Sequence, residues 1–192
     1  MTRPEHWVTT AFRQVSNTDW RVFNRLTKIV LRETYGGLWH TTSLSRFQAI
    51  LEVGAIVPNP DIDEQDRWGT SRGAHYYPYV RSLNGISLFD FEDFDPISYR
   101  KKYPSSAWDQ FLPFQRAWGC AVWIEIDRAT VATNMISPDQ LVARWHDEGA
   151  CRRNILPRLE AAHIGPIKTS AFRRAFLIAA DSNEIRAMTL SS

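Results

Sequence analysis

Cysteine is scarce in this chain of 192 residues: Cys120 and Cys151 form neither a CxxC pair nor a disulfide framework, so reduced thiols are expected. Long apolar runs are missing as well. No stretch approaches the roughly 20 residues that a bilayer-spanning helix needs, and the opening MTRPEHWVTT carries no signal-peptide core, which predicts a cytoplasmic protein with no membrane partner. Neither sign of charge dominates. The 23 Lys and Arg against 21 Asp and Glu leave a net charge of +2, too small to demand a polyanionic partner, although a pI of about 8.6 is compatible with one. Internal repeats and low-complexity tracts are absent, which excludes solenoids and linker-joined arrays. So are GxxxxGK[ST], a strand-borne GxGxxG, GxSxG and HExxH, and with them the conventional P-loop, Rossmann, α/β-hydrolase and zincin chemistries. The scattered His146, Cys151 and His163 have no zinc-ligand spacing, and no metal is expected.

What the chain has in quantity is aromatic side chains: eight Trp, ten Phe and six Tyr. Most such residues build core, and some line sites where a flat heterocycle stacks. Hydrophobic residues make up 44% of the chain, enough at this length for one core, so residues 1–192 are expected to form a single domain with a helical N-terminal part over about 1–36.

Local patterning predicts an α+β fold with helices toward the N-terminal half. A helix capped by Asn17 or Thr18, with Trp20, Phe23 and Leu26 on its apolar stripe, stops at Gly36 and Gly37. LWHTT then reads as a short strand, and Ser43 caps a second helix that Gly54 closes. Residues 57–84 read as a loop too long to be a plain connection, a length usual for functional loops. GISLFDF, CAVWIEID, LEAAHIGPI and RRAFLIAAD read as strands, and SPDQLVARWHDEG has a complete helix grammar from Ser cap to Gly stop. In CAVWIEID, Val122, Ile124 and Ile126 alternate with Trp123, Glu125 and Asp127, which places Glu125 on the solvent side of a half-buried strand.

The chemistry-bearing candidates are His40 at the end of the first strand, Ser87 in GISLF, Tyr99 beyond it and Glu160 in PRLEAAHIGPI. WHTT, GISLFDFEDFDPISY and LEAAHIGPI, in that order, resemble the three elements of the ADP-ribosyltransferases of the diphtheria-toxin and poly(ADP-ribose) polymerase type. HTTSLSRFQAILEVGAI is similar to a segment of the DarT-type DNA ADP-ribosyltransferase toxins. The likeness covers about residues 37–178. It implies a split β-sheet core, NAD as substrate, Glu160 and His40 as catalytic residues, and His40, Thr41, Arg72, Ser87, Phe89 and Tyr99 as the NAD-binding set. Ser87 stands where the polymerase pattern has its first tyrosine, and Tyr76, Tyr77 or Phe89 is expected to supply that stacking ring. Arg72 in the long loop, or Arg46 on the helix after His40, is expected to meet the NAD phosphates.

The resemblance further implies a bacterial toxin or defence effector, a nucleic acid or protein as acceptor, and an antitoxin or immunity protein that masks the cleft. Plain NAD hydrolysis is the variant in which water is the acceptor. Two other readings are a catalytically inactive domain that holds a nucleotide or nucleic-acid strand, and a metal-dependent nuclease built on Glu125, Asp127 and a lysine.

Overall fold

In the computed structural model, residues 25–180 and 184–190 are described. The expected cap at Asn17 or Thr18, with Trp20 and Phe23, lies outside them. The first described element is helix α1 (Arg25–Thr34), which buries Thr27, Val30, Leu31 and Thr34, one stripe at helical spacing. Strand β1 (Leu38–Thr42) follows, then α2 (Leu44–Val53). Both ends of α2 obey local rules: the Ser43 hydroxyl accepts from the Arg46 N–H, and Gly54 adopts φ 76°, a left-handed conformation that costs glycine little. Strand β2 (Ala55–Ile56) leads into the long segment, which contains two 3-10 turns (Glu64–Asp66 and Ala74–Tyr76) and the single-turn helix α3 (Tyr79–Ser82).

Strand β3 (Gly85–Asp90) and helix α4 (Pro96–Lys102) precede two more 3-10 turns, Trp108–Phe111 and Arg116–Trp118. Then come β4 (Cys120–Ile126), α5 (Arg128–Val131), β5 (Met135–Ile136) and α6 (Pro138–Asp147). The last strands are β6 (Glu160–Ile164), β7 (Ile167–Lys168), β8 (Phe172–Ala179) and β9 (Arg186–Met188). The α+β expectation agrees with this alternation, but helices are not confined to the N-terminal half: α6 is as long as α1 or α2. LEAAHIGPI also differs from its reading as one strand. Gly165, at φ 88°, and Pro166 break it, so that β6 and β7 enter different sheets.

Seven strands form one sheet in the order β5-β6-β3-β1-β4-β8-β9, and β2 pairs with β7 in a small second one. Each of these pairings is antiparallel. One face of the large sheet carries Trp39, Phe89, Phe91, Trp123 and Phe176, covered by α1, Trp108, Phe111 and Leu156. The other carries Leu38, Leu88, Val122 and Ile124, covered by Phe47 of α2 and by Ile56 and Ile167. With both faces covered, β4 is buried on both, from Ala121 through Ile126. Glu125 is therefore not on a solvent face, as alternation predicts. It is 6% exposed and its Oε2 accepts from Arg174 Nε at 2.6 Å. Asp127 caps α5 by accepting from the Ala129 N–H. Both carboxylates of the nuclease reading thus have structural partners. Among the described residues no helix is long and apolar enough to cross a membrane.

Candidate active site at the parting of two strands

β1 and β3 stay paired for two residues, Leu38 with Asp90 and Trp39 with Phe89. Beyond that point each follows its other neighbour: β1 remains in register with β4 through Thr42, and β3 remains in register with β6 back to Gly85. The strands splay, and a side chain spans the gap. His40 Nδ1 lies 3.1 Å from the Ser87 carbonyl oxygen. A carbonyl only accepts, so Nδ1 carries the proton and the neutral ring offers Nε2 as an acceptor. Burial lowers the His40 pKa from its ordinary value and Arg46 adds to the effect, while the bond to Ser87 opposes it.

Ser87 serves both neighbours. Its carbonyl takes the imidazole N–H, and its hydroxyl donates to Glu160 Oε1. Glu160 opens β6 after a tight turn in which Arg158 has φ 56° and the Leu156 carbonyl accepts from the N–H groups of Leu159 and Glu160. The same turn aims the Leu156 N–H at the carboxylate, 3.0 Å from Oε2. Each oxygen of Glu160 thus accepts from one donor, yet the group is only 3% exposed. Burial raises its pKa against the pull of those two bonds.

His40, Ser87 and Glu160 line a single cavity of about 390 Å³, within the range of small-molecule sites. Phe89, Phe111, Trp68 and Trp118 also line it, as do Ile50, Val53 and Ile56 and the loop from Val57 to Ile62. Thr41 lines it as well, and the buried Thr41 hydroxyl has no hydrogen-bond partner among the described residues. Of the three arginines at the wall, Arg46, Arg67 and Arg81, the first and last differ in their engagement. Arg81 is held by both oxygens of Glu64, whose pKa it lowers to about 2. Arg46, in the first turn of α2, bonds through Nη2 to the Asp66 carbonyl and lies 5.8 Å over the Trp118 ring, with no carboxylate within ion-pair distance among the described residues. Burial and the neighbouring Arg67 lower its pKa, against the attraction of Asp66.

Of the expected site residues, His40, Thr41, Ser87, Phe89 and Glu160 meet in this cavity and Tyr99 and Arg72 do not. Tyr99 lies on α4, where its ring packs against Phe94, Tyr103 and Trp108 and its hydroxyl meets Ser106 Oγ at 3.1 Å. Burial pushes its phenol pKa up. It is a core aromatic, because the helix that bears it docks on the Phe91 side of the sheet. Arg72 is exposed and stacks on Tyr76, 4.3 Å from the ring centroid. Of the three rings expected to replace the missing tyrosine, Phe89 lines the cavity and Tyr76 and Tyr77 do not; of the two candidate arginines, Arg46 lines it.

Trp68, Phe111, Trp118 and Arg67 are lining residues that sequence reasoning passed over. The one available signal was a tryptophan inside a long polar loop, DRWGT, where burial against other elements is the usual cost of keeping an indole. Among the described residues no cluster of three or more His, Cys, Asp or Glu side chains is arranged to hold a metal ion. The chain has no significant match to any protein-family model or to any curated protein.

Proposed function

We propose that the chain is an NAD-dependent ADP-ribosyltransferase and that NAD is cleaved in the cavity between β1, β3 and β6. The observation that carries this reading is the junction at Ser87, which ties an imidazole and a buried carboxylate to the same wall of an aromatic-lined cavity. Cleavage of the nicotinamide–ribose bond sends its electron pair to the ring nitrogen, releases neutral nicotinamide and leaves an oxocarbenium-like ribose. A carboxylate beside that ribose holds the 2′-hydroxyl and offsets the developing charge, the role assigned to Glu160. The acceptor then forms its bond to C1′ and loses a proton, for which the desolvated Glu160 carboxylate has a raised affinity.

His40 Nε2 accepts from a ribose hydroxyl in this scheme, and Phe89 and Phe111 offer flat apolar surface to the nicotinamide. Arg46 is the cation for the pyrophosphate, since a charge-assisted bond there replaces a neutral carbonyl contact. The acceptor is a nucleic acid or a protein side chain. With water as acceptor the same steps are NAD hydrolysis. Nicotinamide release from NAD, with and without single-stranded nucleic acid or protein extract, tests the reading. The expected result is release by the wild type and a loss of about two orders of magnitude in Glu160→Gln, as when a transition-state charge partner is removed. No release under any of these conditions, or equal rates in the two proteins, overturns it.

A further inference from the structure

A second, open cleft of about 570 Å³ lies across α3 from the cavity. That single turn divides the two: Tyr79 and Ser82 line the cleft, whereas Val80 and Arg81 line the cavity. Arg144 of α6, His75, and the stretch from Glu148 to Arg153 that follows α6 supply the polar lining. Three arginines and one histidine thus share the cleft with one carboxylate. Glu148 is engaged on both oxygens, by Arg144 Nε at 2.6 Å and by the Tyr79 hydroxyl at 2.8 Å. Those two bonds hold its pKa below the ordinary carboxylate value.

The remaining donors have no such partner. Arg152, Arg153 and His75 have no carboxylate within ion-pair distance among the described residues. Along the same stretch the backbone N–H groups of Glu148, Gly149, Ala150 and Arg153 are taken by carbonyls, but those of Cys151 and Arg152 have no acceptor among the described residues. The stretch is also anchored. The Arg153 carbonyl accepts from Trp145 Nε1 at 3.1 Å and the Asn154 carbonyl from the Tyr79 N–H at 2.8 Å, so the two arginines stand on a fixed backbone.

We propose that this cleft binds a small phosphate-bearing anion, a pyrophosphate or a phosphate monoester, on Arg152, Arg153 and His75, at a site separate from the cavity and independent of the transferase reading. Guanidinium groups meet phosphate oxygens in planar, bidentate pairs, and backbone N–H groups without acceptors add to them. A nucleic-acid strand fits less well. Tyr79 is the only Phe, Tyr or Trp in the lining and is 1% exposed, so no ring of that kind is open to an unpaired base, and the ionised Glu148 repels the further phosphates of a polymer.

Isothermal titration of the full chain with pyrophosphate, in phosphate-free buffer at roughly 50 mM salt, tests the proposal. A site with a Kd below about 1 mM is expected, weakening as salt rises. Ribose 5-phosphate is titrated in parallel, and the tighter of the two ligands names the phosphate group preferred. Arg152→Ala with Arg153→Ala weakens binding at least about tenfold. Arg46→Ala leaves this site intact, because Arg46 belongs to the cavity. Glu148→Gln removes the competing charge and tightens binding about threefold or more, a gain that a misfolded variant does not give. Succinate does not displace the ligand at equal concentration. The proposal is overturned by absence of binding, by loss in Arg46→Ala with the Arg152/Arg153 variant unchanged, by equal or weaker binding in Glu148→Gln, or by displacement with succinate. A DNA strand of about 20 nucleotides that binds more tightly than pyrophosphate and is lost in the Arg152/Arg153 variant also overturns it, assigning the cleft to a polymer.

Discussion

Ser87 uses a backbone oxygen on one side and a side-chain oxygen on the other, so the two functions separate by mutation. Ser87→Ala keeps the carbonyl that orients His40 and removes the donor to Glu160. Loss of a hydrogen bond to the charged form raises the Glu160 pKa further, so the pH–rate curve for nicotinamide release moves to higher pH. The rate at pH 6 falls by about tenfold or more and recovers in part at pH 9; a parallel loss at every pH contradicts the positioning role.

Glu160 also has a stability consequence with a definite sign. Its folded-state pKa is raised, so the native state binds the proton more tightly than the unfolded chain does. The stabilisation this gives is full in acid and is lost as pH rises from the ordinary carboxyl range through the raised value. Glu160→Gln removes that loss and melts at higher temperature than wild type at pH 8, an outcome calorimetry reads directly. His40, with its lowered pKa, has the opposite slope: its contribution is full above its ordinary value and is lost as pH falls below it. In acid the Gln variant therefore loses stability more steeply than wild type. Arg46→Ala raises KM for NAD about tenfold with a smaller change in kcat, as expected for one charge-assisted contact. Arg72→Ala leaves nicotinamide release to water at the wild-type value, since Arg72 stands outside the cavity.

At the scale of elements, the site exists because β1 and β3 stop pairing after Trp39 and Phe89. What precedes the parting is tightly seated. The Trp39 indole is fully buried, donates to the Thr34 carbonyl at 2.9 Å and leaves no room above Gly37, where an added Cβ would sit 2.2 Å from Nε1. Gly37→Ala displaces that ring and is expected to cost about 1–3 kcal/mol in a denaturant titration. Activity falls further than stability if the parting point itself moves. LWHTT is legible as a strand from its residues, and Ser43 and Gly54 mark the helix that follows it, because caps and stop signals act within a few residues. Where the strands separate is not legible, because register depends on what each strand packs against.

At the scale of the whole molecule, His40, Ser87 and Glu160 come from three strands that are neighbours in space, β1, β3 and β6, and that span more than half the chain. Residues from both halves pack on both faces of one sheet, which predicts a single cooperative transition with coincident midpoints by far-UV and near-UV circular dichroism. The candidate site was legible in His40 and Glu160 because few residue types suit the chemistry, but not in its arginines, where Arg72 was expected and Arg46, Arg67 and Arg81 line the cavity. It was not legible in its aromatic members. With 24 aromatic residues in the chain, the sequence has no means of marking Tyr99 as core and Trp68, Phe111 and Trp118 as lining.

By itself the amino-acid sequence determined the alternation of helix and strand, the caps, and the polar residues with chemistry to offer, since each depends on neighbours within a turn or two. Tertiary structure decided that Glu125 is a buried ion-pair partner, that Tyr99 is core, that Arg46 and not Arg72 reaches the cavity, and that one serine joins an imidazole to a carboxylate. Periodicity tells a residue which face of its own element it occupies. What covers that face is set by packing between segments far apart in the chain, and that packing is what makes a cavity.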